Sequence, residues 1–197
     1  MQEKFIDVEN IIKSKNPKLL RLLPGFVLRY LKRIIHQNEI NDFISRNKMH
    51  FNADFADATL AEFKIKATAS GIENIPKTGP VILVMNHPLG GMDAVALISL
   101  LKQQRPDVKF IVNDILLHLD NLKDLFIGVN KIGKNNGSVR QQIQEAFQED
   151  HALCVFPAGL VSRKINGEVK DLDWKRTFVS YARKYKRDIV PIHIEGE

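Results

Sequence analysis

His87 and Asp93 could work together as a base and the carboxylate that orients it. They stand on the two sides of the short stretch Asn86-His87-Pro88-Leu89-Gly90-Gly91-Met92-Asp93. An imidazole titrates near neutral pH and can take a proton from a hydroxyl, while a carboxylate bonded to its other ring nitrogen holds the ring in one tautomer. Such a pair is the orienter and base of a catalytic triad. For the two to meet, the chain between them must reverse tightly, and Gly90 and Gly91 permit that without a Cβ clash.

The neighbouring residues supply the positioning. Val81–Met85 is apolar throughout and predicts a buried strand, and Asp93–Gln103 has the apolar spacing of a helix. His87 then lies at the carboxyl end of a strand, where open α/β sheets bind their ligands. A second strand-then-loop unit follows about 70 residues later as Phe156-Pro157-Ala158-Gly159-Leu160-Val161-Ser162-Arg163. Arg163, with Lys164, Lys170, Lys175 and Arg176 after it, could clamp phosphate or another oxyanion.

From about residue 61 the pattern alternates. Strands are expected at Phe63–Ala69, Val81–Met85, Val108–Val112, Leu153–Phe156 and Ile189–Ile194. Helices are expected at Asp93–Gln103, Ile115–Phe126, Ser138–Glu149 and Trp174–Tyr185. Strands that are apolar on both faces argue for an α/β fold: a mixed, mostly parallel sheet flanked by helices. Residues 1–60 are expected to form an N-terminal helical element in front of an α/β domain over 61–197. Within it Phe26, Val27, Tyr30, Leu31, Ile34 and Ile35 recur at helical spacing among Arg29, Lys32 and Arg33. That stripe could pack on the core, lie in a lipid headgroup layer, or divide the two roles. Because the chain stops directly after its last strand, further C-terminal sequence is expected to belong to the domain.

Composition narrows the partners. A net charge of +6 favours an anionic one: a membrane surface, a phosphorylated metabolite or nucleic acid. Nucleic acid is disfavoured because no basic patch interleaved with aromatics occurs. No apolar run is long enough to span a bilayer. The single cysteine, Cys154, sits in an apolar run, which excludes a disulfide framework and suggests a core residue. Gly128–Asn135 nearly spells a nucleotide-binding loop, but Asn135 stands where a hydroxyl must hold magnesium. No Cys/His cluster has metal-ligand spacing.

Taken in order, these blocks resemble the glycerolipid acyltransferase family that includes 1-acylglycerol-3-phosphate acyltransferase. Asn86-His87…Asp93 matches its Asn-His-(four residues)-Asp block, Phe156-Pro157-Ala158-Gly159 with Ser162-Arg163 its Phe-Pro-Glu-Gly-Thr-Arg-Ser block, and Val190-Pro191 its Val-Pro strand. Val129-Asn130-Lys131-Ile132-Gly133 falls at the remaining block with a looser match. There are five residues between His87 and Asp93 instead of four, and Ala158 replaces the glutamate. The first departure brings the pattern closer to the hemolysin-like or ornithine-lipid type subfamily, and the second leaves room for a lyso-aminolipid acceptor in place of lysophosphatidic acid.

The resemblance implies an O-acyltransferase of membrane lipid biosynthesis. It would move a fatty acyl group from acyl-CoA or acyl carrier protein to the hydroxyl of lysophosphatidic acid or a lyso-aminolipid, without cofactor or metal. His87 and Asp93 would be catalytic; Asn86, Gly90, Gly91, Phe156, Pro157, Gly159, Ser162, Arg163 and Lys175 would bind substrate. The expected setting is peripheral, on the inner face of the cytoplasmic membrane. The competing reading is a non-catalytic lipid- or acyl-carrier-binding homologue.

Overall fold

The computed structural model describes residues 5–113, 116–117, 119–129, 136–165 and 167–196. The expected helix start at Ile115, the loosely matching block at 130–133 and most of the near-nucleotide loop fall outside these residues, as does His118.

Five strands form one sheet: β1 (Val81–Met85), β2 (Lys109–Asn113), β3 (Phe126–Val129), β4 (Ala152–Val155) and β7 (Asp188–Ile192). Their order is β3-β2-β4-β1-β7 and every pair is parallel. A separate antiparallel hairpin, β5 (Arg163–Ile165) with β6 (Glu168–Lys170), follows β4. Strand β1 is buried along its whole length, which explains why it is apolar at every position rather than at alternate ones.

The two faces carry two cores. Val81, Leu83, Met85, Phe110 and Cys154 face α6 (Gly91–Leu101), on which α5 (Asn52–Glu62) packs through Phe55, Ala56 and Leu60. On the other face Ile82, Val84 and Leu153 meet Ala146 and Phe147, at the end of α7 (Asn136–Ala146), and Ala182 of α8 (Thr177–Tyr185). Burial pushes the Cys154 thiol far above the ordinary thiol range, so it is an inert core residue. At the amino ends of the strands two buried arginines collect backbone carbonyls. Arg105 bonds Pro76 and Gly79, and Arg187 bonds Val81 and His151.

The N-terminal helices are α1 (Val8–Lys15), α2 (Pro17–Leu22), α3 (Gly25–Ile34) and α4 (Gln37–Arg46). Asn41 of α4 exchanges two hydrogen bonds with the backbone of Ile6 (2.7 and 2.8 Å), and Gln37 accepts from Val8 N–H (2.9 Å), pinning α1 to α4. Helix α3 has no buried residue; Phe26 and Tyr30 are 66% and 63% exposed, with Leu22 and Ile34 also open. The stripe at 26, 30 and 34 is therefore not a core stripe, and Val27, Leu28, Leu31 and Lys32 are the α3 residues that turn partly inward.

Three expectations are corrected. Residues 63–69 form no strand: α5 runs to Glu62 and Lys64 turns out of it at φ 55°, so the alternation Phe63-Lys64-Ile65-Lys66 meets no ladder. The helix expected through Phe126 gives way to a 3-10 turn, Asp120–Leu125, followed by β3. The helix expected from Trp174 begins at Thr177, leaving Trp174 in a loop.

Candidate active site

Strand order places the two sequence blocks side by side. From β1 the chain crosses to β2 on one side of the sheet, and from β4 it crosses to β7 on the other, so the direction of winding reverses between the neighbours β1 and β4. The crevice outside the carboxyl ends of two such strands is where ligands bind in open parallel sheets. His87 follows β1 and Phe156 follows β4, and their rings stack with centroids 4.0 Å apart at 28°.

The turn after His87 closes as its glycines suggest, but only one of them is under conformational demand. Gly90 has φ 67° and ψ −131°, and a Cβ there would stand 3.3 Å from Val161; Gly91 is free of both constraints. The turn delivers Asp93 into the first turn of α6, fully buried, with Oδ2 2.9 Å from His87 Nδ1. The extra residue relative to the family block is thus absorbed without separating the pair. Leu89 N–H also donates to the Asp93 carboxylate (3.1 Å), and the amino end of α6 favours its negative charge. A carboxylate can only accept, so Nδ1 is the protonated nitrogen and Nε2 is left as the basic one. Nε2 has no hydrogen-bond partner among the described residues.

His87 borders an apolar cavity of about 1050 Å³ that extends beneath α4 and α5 and around the ends of β2 and β4. Gly90, Gly91, Phe156, Pro157, Gly159 and Lys175 border it too. Gly159 N–H is committed to Phe156 O (2.9 Å), whereas Gly91 and Met92 hold first-turn N–H groups of α6, which lack helical acceptors.

Other residues expected at the site have different surroundings. The Asn86 amide exchanges hydrogen bonds with the backbone of Ile194 (2.8 and 2.7 Å), tying β1 to the segment after β7. Ser162 N–H donates to His87 O (2.8 Å). Arg163 is exposed on β5, opposite Lys170, and borders neither this cavity nor the second one. Ala158 is buried, so no carboxylate occupies that position.

Sequence reasoning missed Asp171. Its carboxylate accepts from His87 N–H (3.2 Å), the Ser162 hydroxyl and Trp174 Nε1–H (2.8 Å), joining the β5–β6 hairpin to the histidine turn. A lone aspartate 84 residues away carried no local signal. Beside it, a second cavity of about 730 Å³ is bordered by Asn86, Lys170, Trp174 and His193, the last bonded to Glu195 (2.9 Å).

Comparison with known proteins identifies the family. A family model described as acyltransferase matches residues 10–197. A lyso-glycine lipid O-acyltransferase of Bacteroides thetaiotaomicron is 43% identical over 193 residues, 98% of this chain and 71% of that one. The protein of the same name from Phocaeicola vulgatus is 42% identical over 193 residues, covering 98% of this chain and 69% of its own. No solved structure gives a significant match. With a family model spanning almost its whole length and relatives this similar, the chain belongs to the acyltransferase family and is an enzyme.

Proposed function

We propose that the protein moves a fatty acyl group from a thioester, on coenzyme A or acyl carrier protein, to the free hydroxyl of a lyso-aminolipid of the lyso-glycine lipid class, with His87 as general base. The observation that carries this reading is the His87–Asp93 pair at the edge of an apolar cavity large enough for lipid chains. The names of the two relatives support the acceptor class, and so does Ala158, which supplies no carboxylate where the glycerol-phosphate enzymes have one.

In the proposed reaction His87 Nε2 takes the proton of the acceptor hydroxyl as its oxygen attacks the thioester carbon, and Asp93 stabilises the imidazolium. The negative charge that develops on the carbonyl oxygen would be met by the Gly91 and Met92 N–H groups, which need no reorganisation to receive it. Collapse breaks the C–S bond, and the imidazolium returns its proton to the departing thiolate. An ester and a free thiol result, with no covalent enzyme intermediate.

Access to the lipid would come through a peripheral contact, proposed here on the inner face of the cytoplasmic membrane. Leu22, Phe26, Tyr30 and Ile34 would enter the headgroup layer, with Arg21, Arg29 and Arg33 meeting anionic lipid. No helix among the described residues is long and apolar enough to cross a bilayer.

The test is to supply acyl-CoA and acyl carrier protein thioesters with lyso-glycine lipid and lysophosphatidic acid. Acylated lyso-glycine lipid should form with equimolar thiol, and His87→Ala should slow transfer about 10²–10⁴-fold. Thiol release without acylated lipid would mean a thioesterase. Binding of both substrates with no turnover would mean a non-catalytic homologue.

A further inference from the structure

The apolar cavity is not confined to one face of the sheet. Ile111 and Val112 are successive residues of β2, so their side chains leave on opposite faces, yet both border the cavity. The cause lies in the ladder. Strand β2 pairs with β4 only at Lys109↔Leu153 and Phe110↔Cys154 and then parts from it, whereas β1 keeps β4 for four pairs, up to Val84↔Val155. Beyond Phe110 and Cys154 these two strands are unpaired, and residues from both faces of the sheet border the cavity. One branch runs under α4 and α5 past Ile40 and Phe43; the other runs between α7 and α8 past Ile143 and Phe178.

The rims of the branches differ in charge. Beside the first branch two carboxylates border the cavity, Glu39, 3.6 Å from His36, and Glu62, 2.7 Å from Arg46. That rim adjoins the exposed apolar residues of α3 through Ile34 and Ile35. The second branch is bordered by Lys175, next to Arg176, and neither has a carboxylate partner among the described residues. Anionic carriers are drawn to unmatched cations, and a lipid leaving a membrane is drawn to an apolar rim.

We propose that the two branches hold different chains: the chain a lyso-lipid acceptor retains lies under α4 and α5, and the acyl chain being transferred lies between α7 and α8, with its phosphate-bearing carrier at Lys175 and Arg176. The assignment rests on the acyl-transfer reading above. It also accounts for the size of the cavity, since about 1050 Å³ lies at the top of the roughly 300–1,000 Å³ range of pockets for one drug-sized ligand. His87 and Phe156 border the same cavity, and in this assignment the hydroxyl and the thioester carbon approach each other beside them.

The experiment fills each branch separately and reads chain-length preference for both substrates. In the full chain, Ile143→Trp should shift kcat/KM toward shorter acyl donors by about tenfold or more and leave preference among lyso-lipid acceptors unchanged. Ile40→Trp should do the reverse. Melting temperature checks folding, and if either tryptophan variant does not fold, Phe178→Ala and Ile40→Ala read the same split in the opposite direction, toward longer chains. Exchanged effects, or both branches altering one substrate, would overturn the assignment while leaving acyl transfer in place. Absence of transfer in the unsubstituted protein would instead remove the underlying reading.

Discussion

Phe156 stacks on His87 with ring centroids 4.0 Å apart, so the residue that follows β4 forms one wall for the ring that follows β1. Only the adjacency of β1 and β4 makes this contact, because the two residues are far apart in sequence. Stacked aromatic pairs contribute about 0.5–1.5 kcal/mol beyond their burial. Phe156→Leu should therefore reduce kcat about two- to tenfold with little change in melting temperature, because the His87–Asp93 bond persists while the ring gains freedom. Unaltered kcat in steady-state assays would show that Phe156 does not position the base.

Asp171 fastens the hairpin to the histidine turn through three donors on three different segments. Asp171→Ala leaves the His87 N–H without its acceptor and frees the Trp174 indole. A cost of about 1–3 kcal/mol in stability is expected from the orphaned donors, together with a red-shifted tryptophan emission. Trp174 is the chain's only tryptophan, so the emission reports this contact directly. Emission identical to wild type would mean that the indole does not rest on this carboxylate.

His151 provides a pH prediction. Burial, reinforced by the neighbouring Arg187, holds its pKa below the ordinary imidazole value, and its Nε2 is buried without a partner among the described residues. A histidine whose folded pKa is depressed binds protons more readily when unfolded. Its contribution to stability is thus complete above the unfolded pKa of about 6.5 and shrinks as pH falls below it. Denaturant midpoints measured from pH 8 downward should drop faster for wild type than for His151→Gln, and parallel curves would remove His151 from the account.

The exposed stripe on α3 predicts how the protein meets vesicles. Each basic residue at the surface of an anionic membrane contributes about 1 kcal/mol, and salt screens this part but not apolar insertion. Co-sedimentation with anionic liposomes should weaken as salt rises and keep a salt-resistant remainder. Phe26→Ser with Tyr30→Ser should abolish that remainder and leave the melting temperature unchanged, since neither side chain is buried. A remainder that survives the double substitution would place the apolar contact elsewhere.

Local patterns in the sequence were sufficient for the elements whose environment is uniform along their length. Strand β1 is apolar throughout because both of its faces are covered, and α6 and the glycine turn before it announce themselves by spacing and residue type. The His87–Asp93 pair was legible for the same reason, since it is closed by a turn of neighbouring residues. Where tertiary partners decide, local pattern misled. Residues 63–69 alternate like a strand but find no neighbouring edge, and β3 exists because β2 offers it a ladder. The stripe at Phe26, Tyr30 and Ile34 has helical spacing whether a core or a lipid layer covers it, and the folded chain leaves it exposed.

The His87–Asp93 pair and the α/β framework around it follow from local pattern, because both depend on residues close along the chain. Packing of distant segments brings Asp171 to the His87 N–H, stacks Phe156 on the His87 ring, and parts β2 from β4 after two pairs. Each of these joins residues distant in sequence, and such contacts depend on strand order and register, which no local periodicity encodes.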